Sequence, residues 1–258
     1  MPVTLACAES GSGPPMAILH GLFGSARNWT RLTKRFAADR RVLAFDLRNH
    51  GSSPWAPGMG YEIMAEDVAH ALDARRLSGV DLVGHSMGGK VAMTLALTQP
   101  RLVTRMIVAD IAPVSYFHHY DDLIDPILAL PLERLESRAQ AEQLLRQNIP
   151  EDQLRAFLLQ NLARGSEGWY WRVNWQAIQR DMEWLTGFID LPQDWRIEVP
   201  TLFLRGDRSD YIGETEVEVI GDHFDAAEIV TVTDAGHWLH AEQPRRFIEL
   251  VFDFLRAG

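Results

Sequence analysis

Gly84-His85-Ser86-Met87-Gly88 is the feature that most narrows the folds open to this chain. It directly follows the apolar run VDLVG (80–84) and precedes the helix-patterned GGKVAMTLAL (88–97). A strand that turns into a helix within so few residues brings two backbones almost into contact. Glycines two before and two after the serine permit that approach. The turn lifts the Ser86 hydroxyl above a sheet edge and sets it at a helix N-terminus, where unpaired N–H groups face developing negative charge. The competing explanation is a Gly-rich turn of a Rossmann-like fold that merely tolerates serine, and the strand, turn and helix context argues against it.

The surrounding sequence has a matching rhythm. MAILH (16–20), VLAFD (42–46), VDLVG (80–84) and RMIVAD (105–110) read as strands buried on both faces, separated by helix patterns near 27–37, 62–77 and 88–98. This predicts an α/β fold with a mostly parallel central sheet flanked by helices. From Pro113 to Pro192 no strand is evident, whereas 137–149, 151–163 and 175–188 have helical spacing. The simplest account is a helical cap over 113–192 that divides the core into 1–112 and 193–258. Sheet patterns return at 199–207 and 227–237, and a terminal helix begins at Pro244 with Phe247, Leu250, Val251, Phe254 and Leu255 on one face.

The serine needs a base, because its hydroxyl alone is a poor nucleophile. In this kind of fold the base comes last in the chain, which selects His237 of DAGHWLHAE; His240 is expected to be a cap or rim residue. His50, His70, His85, His118, His119 and His223 lie where structural or surface roles suffice. His20-Gly21-Leu22-Phe23-Gly24 follows the first confident strand on the same side of the sheet as Ser86. We expect an oxyanion hole from the Leu22 and Met87 N–H groups, with Phe23 as the other candidate donor and His20 holding the loop. The acid that orients His237 is less plain. The loop Gly206-Asp207-Arg208-Ser209-Asp210 carries serine at the third position after the glycine, where an aspartate is frequent, and a hydroxyl cannot stabilise an imidazolium as a carboxylate does. Asp110, closing a buried apolar strand, needs a charged partner. It is the preferred acid, with Asp210 and Asp207 as alternatives and Asp234 behind them.

A formal net charge of -10 and the absence of Lys/Arg blocks argue against nucleic acid or an anionic membrane as partner. The single cysteine, Cys7, allows no intrachain disulfide. With no signal-peptide pattern and no apolar run of spanning length, a cytoplasmic protein without membrane insertion is expected. The dispersed histidines show no metal-ligand spacing, and the chemistry requires neither metal nor organic cofactor.

HGLFGS (20–25), DLRNHGSS (46–53), GHSMGGK (84–90), DIAPVSY (110–116) and GHWLHAE (236–242) together resemble the YbfF/ABHD11-type esterases of the α/β-hydrolase superfamily. The resemblance implies Ser86 as nucleophile, His237 as base and Asp110 as acid, with a helical cap after the sixth strand. It also implies activity on short acyl esters or thioesters. Phe23, Tyr116, Trp184, Tyr211 and Trp238 are candidate pocket residues. The expectation is a serine carboxylesterase for small, apolar, short-acyl esters, acting through an acyl-enzyme as monomer or homodimer. A thioesterase, a C–C bond hydrolase or a cofactor-free perhydrolase would use the same groups, and a non-catalytic binding module would have no reason to keep them.

Overall fold

The computed structural model describes residues 1–117, 120–190 and 194–257. Seven strands form the central sheet: β1 (Cys7–Ser10), β2 (Pro15–Leu19), β3 (Arg41–Phe45), β4 (Val80–His85), β5 (Val103–Ala109), β8 (Thr201–Gly206) and β9 (Ala227–Val232), while β6 (Leu162–Gly165) and β7 (Gly168–Trp171) lie in the insertion. The spatial order is β1-β3-β2-β4-β5-β8-β9. Only β1 runs antiparallel to its neighbour, so the sheet is mostly parallel as expected.

Alternation along β2 shows how the layers form. Ala17 and Leu19 pack with Met64, Leu72 and Val91 on one face, on α2 (Tyr61–Asp73) and α3 (Met87–Thr98). Met16 and Ile18 point the other way, toward Leu32 and Phe36 of α1 (Thr30–Phe36) and toward Phe247 and Val251 of the terminal helix α11 (Pro244–Arg256). A strand with both faces covered reads as a continuous apolar run, which is why these strands are legible in sequence. β4 lies at the centre, so the Ser86 turn opens at the middle of the sheet's carboxyl edge.

Between β5 and β8 lie α4 (Asp121–Leu128), α5 (Arg138–Leu145), α6 (Asp152–Leu159), α7 (Trp175–Arg180) and α8 (Met182–Thr186). Counted along this chain the insertion follows the fifth strand; the resemblance's count includes one more than the described residues contain before it. The insertion is also not purely helical. The helix expected over 151–163 stops at Leu159, and β6 and β7 form an antiparallel hairpin with Gly165 opposite Gly168. Four-residue strands are too short to show periodicity, and the left-handed φ of 116° at Gly168 supplies the reversal. The expected helix over 175–188 divides at Asp181. The expected cap boundary at Pro192, together with His118 and His119, lies outside the described residues. Among those described, no helix is long and apolar enough to cross a membrane.

Polar contacts stitch the insertion to the core, among them those of three side chains. Asn161 Nδ2 donates to the Phe23 carbonyl at 2.7 Å, and Asn174 donates through N and Nδ2 to Asn49 O and Oδ1 at 2.9 and 3.0 Å. Lys90 of α3, buried to 1% exposure, donates from Nζ to the carbonyls of Thr186 and Gly187 at the end of α8. It has no ion-pair partner among the described residues, and burial pulls its ammonium down to about 7.

A folded state that favours the neutral amine gains stability as pH rises from about 7 toward the ordinary lysine range, because there the unfolded chain holds the extra proton. Lys90→Met is expected to flatten that rise, measured by urea denaturation between pH 7 and 10. A Cβ on Gly88 would lie 2.4 Å from Leu19 O and 2.6 Å from His20 O, both backbone atoms that cannot yield. Gly88→Ala is therefore expected to destabilise the protein by about 2 kcal/mol, checked by the same titration.

Candidate active site

The Ser86 turn is as tight as its glycines suggest. Ser86 adopts φ 50° and ψ -119°, a left-handed backbone that a non-glycine residue keeps only when its surroundings impose it. Its N–H donates to Ala109 O at 3.0 Å, and its carbonyl accepts from Gly89 N at 2.8 Å, which ties the turn to β5 and starts α3. A Cβ at Gly84 would sit 2.3 Å from Gly88 O, so the strand and helix backbones touch there.

Asp110, fully buried at the end of β5, lies beside His237: Nδ1 donates to Oδ2 at 2.8 Å. That bond leaves Nε2 as the ring nitrogen available for a hydroxyl proton. The carboxylate also accepts from Gly206 N at 3.0 Å and from Ser209 Oγ. Ser209, whose hydroxyl cannot replace a carboxylate, thus supports the carboxylate that faces His237. The alternatives fall elsewhere. Asp207 accepts from the N–H groups of Asp234 and Ala235 at 2.9 and 3.0 Å, which fastens the loop that carries His237. Asp210 lines another cavity with Arg208 and His237 but does not take the place beside Nδ1. Tyr211 stacks on the His237 ring at 4.0 Å, and Tyr116 braces it by donating to the Tyr211 carbonyl at 2.7 Å.

The loop after β2 sorts its two candidate oxyanion donors. Phe23 N donates to His50 Nε2 at 3.2 Å and is committed, whereas Leu22 is placed beside Ser86 on the wall of two cavities. His20 holds the loop as expected, with Nδ1 donating to Gly21 O at 2.8 Å and Nε2 accepting from Leu47 N at 2.9 Å. Burial pushes the His20 imidazole down to about 4, and burial with neighbouring His20 pushes His50 down to about 3. Both rings are neutral hydrogen-bonding parts of the scaffold. His85 donates from Nε2 to the His237 carbonyl at 2.8 Å, a tether that the sequence left unassigned. His240 is no cap but a buried part of the wall of the cavity at Ser86. It is 5% exposed and stacked on Trp29 at 4.5 Å, and burial holds it down to about 3.

Ser86 and His237 open together into a mainly apolar cavity of about 190 Å³, lined also by Leu22, Phe23, Leu123, Phe157, Tyr211 and Trp238. Of the five candidate pocket residues, Phe23, Tyr211 and Trp238 are in its walls. Tyr116 reaches Ser86 through a second, small cavity. Trp184 does not join them: it is 67% exposed in a groove that Tyr61 and Glu62 of the core also line, whereas its neighbour Leu185 faces the small cavity at Ser86. Phe157, Leu154 and Asn161 were missed as site residues. They come from a segment whose only sequence signal is apolar helical spacing. Among the described residues no cluster of His, Cys, Asp and Glu could hold a metal ion.

A family model described as the alpha/beta hydrolase fold matches residues 14–244. The chain is 39% identical over 254 residues to the sn-1-specific diacylglycerol lipase ABHD11 of Danio rerio, covering 95% of this chain and 80% of that protein. It is 32% identical over 242 residues to esterase YbfF of Escherichia coli, covering 93% and 92%. Among solved structures, a marine microorganism esterase superposes with a TM-score of 0.94 at 37% identity, covering 98% of this chain and 99% of that one.

Hydrogen bonds from two backbone N–H groups hold the Asp207 carboxyl below the usual carboxylate range. A carboxylate so depressed contributes stability that is complete above that range and is lost as pH falls through its folded value. Asp207→Ala is expected to speed amide exchange at Asp234 and Ala235 at neutral pH, and to leave the His237–Asp110 contact in place.

Proposed function

Since the chain belongs to the α/β-hydrolase family and is related to the ABHD11/YbfF-type esterases, we propose that it is a serine carboxylesterase acting on small, short-acyl esters. The observation that carries this reading is the His237–Asp110 pair beside Ser86 at the lip of one apolar cavity. Neutral His237 accepts the Ser86 proton at Nε2 as Oγ adds to the ester carbonyl. The negative charge that appears on the carbonyl oxygen is held by the N–H groups of Leu22 and Met87. Asp110 stabilises the imidazolium and keeps Nδ1 as its donor. The tetrahedral species collapses with cleavage of the C–O bond, and His237 delivers its proton to the departing alcohol oxygen. Water then loses a proton to His237 as it adds to the acyl-enzyme; the bond from the acyl carbon to Ser86 Oγ breaks, His237 returns the proton to Oγ, and the acid leaves with Ser86 and His237 restored.

The walls support an ester as substrate. Apolar surface dominates the cavity, and Ser86 and His237 are among its polar groups. The preference for short acyl groups is supported by the second space beside Ser86, which measures only about 30 Å³. The reaction needs no group beyond those the chain supplies.

Hydrolysis of p-nitrophenyl esters tests the assignment. Ser86→Ala is expected to fall to background, and Asp110→Asn to lose about ten-thousand-fold in kcat, the scale of losing a triad carboxylate. Asp210→Asn is expected to remain near the parent. Collapse of Asp210→Asn with Asp110→Asn near parental activity would transfer the acid role to the later loop.

A further inference from the structure

Ser86 stands where two cavities meet. The larger, of about 190 Å³, has His237 in its wall. The smaller, of about 30 Å³, is lined by Ser86, Leu22 and Met87 together with Lys90, Ile111 and Leu185, and His237 is not part of it. If the chain is the esterase proposed above, the reaction itself distributes an ester between them. The leaving alcohol oxygen must lie within reach of the proton on His237, so the alcohol portion occupies the cavity that His237 lines. The carbonyl oxygen is claimed by the Leu22 and Met87 N–H groups. The remaining substituent of the carbonyl carbon, the acyl chain, has the small cavity left to it.

We propose that the small cavity is the acyl subsite, closed at its far end by Lys90, and that the large cavity receives the alcohol. The substrate class is then an ester of a two- or three-carbon acid with a bulkier apolar alcohol. A space of about 30 Å³ holds two or three water-sized groups, enough for the carbons of an acetyl or propanoyl chain. The end wall is well braced. Lys90 Nζ donates to Thr186 O at 3.2 Å and to Gly187 O, and it lies 4.8 Å from the Tyr116 ring centre and 5.5 Å from that of Tyr61. Tyr61, Tyr116 and Thr186 also form one side of the outer groove of about 530 Å³ that contains Trp184. The same side chains therefore separate the acyl subsite from open space, and Lys90 spans that partition on its inner side. Acyl length is limited by this partition, whereas alcohol length is not.

Two substrate series separate the subsites: p-nitrophenyl esters from acetate to octanoate, and acetates of alcohols from ethanol to octanol followed by acid release. For the parent, kcat/KM is expected to fall about ten-fold or more between propanoate and hexanoate, and to vary less than that across the alcohols. Lys90→Ala, with its fold checked by thermal denaturation, is expected to raise the hexanoate-to-acetate ratio about ten-fold and leave the alcohol profile unchanged. Should that variant not fold, Ile111→Ala widens the same cavity without touching the tether and is expected to raise the butanoate-to-acetate ratio. A parent that cleaves octanoate as readily as acetate would overturn the assignment. So would Phe157→Ala, in the large cavity, changing acyl rather than alcohol preference. A folded parent inert toward every member of both series would remove the esterase reading itself, and the subsites with it.

Discussion

Backbone contact between the Ser86 turn and the neighbouring strand is the constraint from which the site follows. Gly88 lies against the carbonyls of Leu19 and His20 with no room for a methyl group, so α3 starts as close to β2 as two chains can come. That closeness brings the N–H of Met87, at the start of a helix, near the loop that carries Leu22, although the two are far apart in sequence. It also holds Ser86 in a left-handed conformation that the residue would not adopt alone.

Charge is managed with equal economy. Asp110 is completely buried, and its two oxygens are met by three donors from two segments: His237, and Gly206 with Ser209 at the end of β8. Three hydrogen bonds replace the water that burial removes from this carboxylate. The other imidazoles around the site do not compete for protons. His20, His50, His85 and His240 are buried, and burial drives each toward the neutral form.

Local features were legible in the sequence and features of juxtaposition were less so. The strands of the parallel sheet announce themselves as apolar runs because both faces are covered, and the Ser86 turn is marked by glycines whose spacing is itself the geometry. Asp110 could be preferred from sequence because an aspartate ending a buried strand demands a partner. That Ser209 donates to it depends on β5 and β8 being neighbours, which no residue near position 209 reveals. Asp207 looked like a candidate acid and is a loop fastener, since a carboxylate after a glycine gives the same signal in either role. In the insertion, helical periodicity ran across Leu159 into a four-residue strand, and it gave no sign that Trp184 would turn outward. Short elements and the direction of a single side chain depend on packing partners that lie elsewhere in the chain.

The stitches between insertion and core bear on how such proteins can diversify. Asn161 holds the carbonyl of Phe23 within the very loop that offers Leu22, and Asn174 holds the left-handed Asn49 from two atoms. The insertion is therefore not an interchangeable part set on a finished scaffold. A chimera that grafted another protein's cap onto this sheet would release the loop beside Ser86 and disturb the shape of the site along with the cavity walls. New specificities are more accessible through single changes on the walls than through exchange of the whole segment.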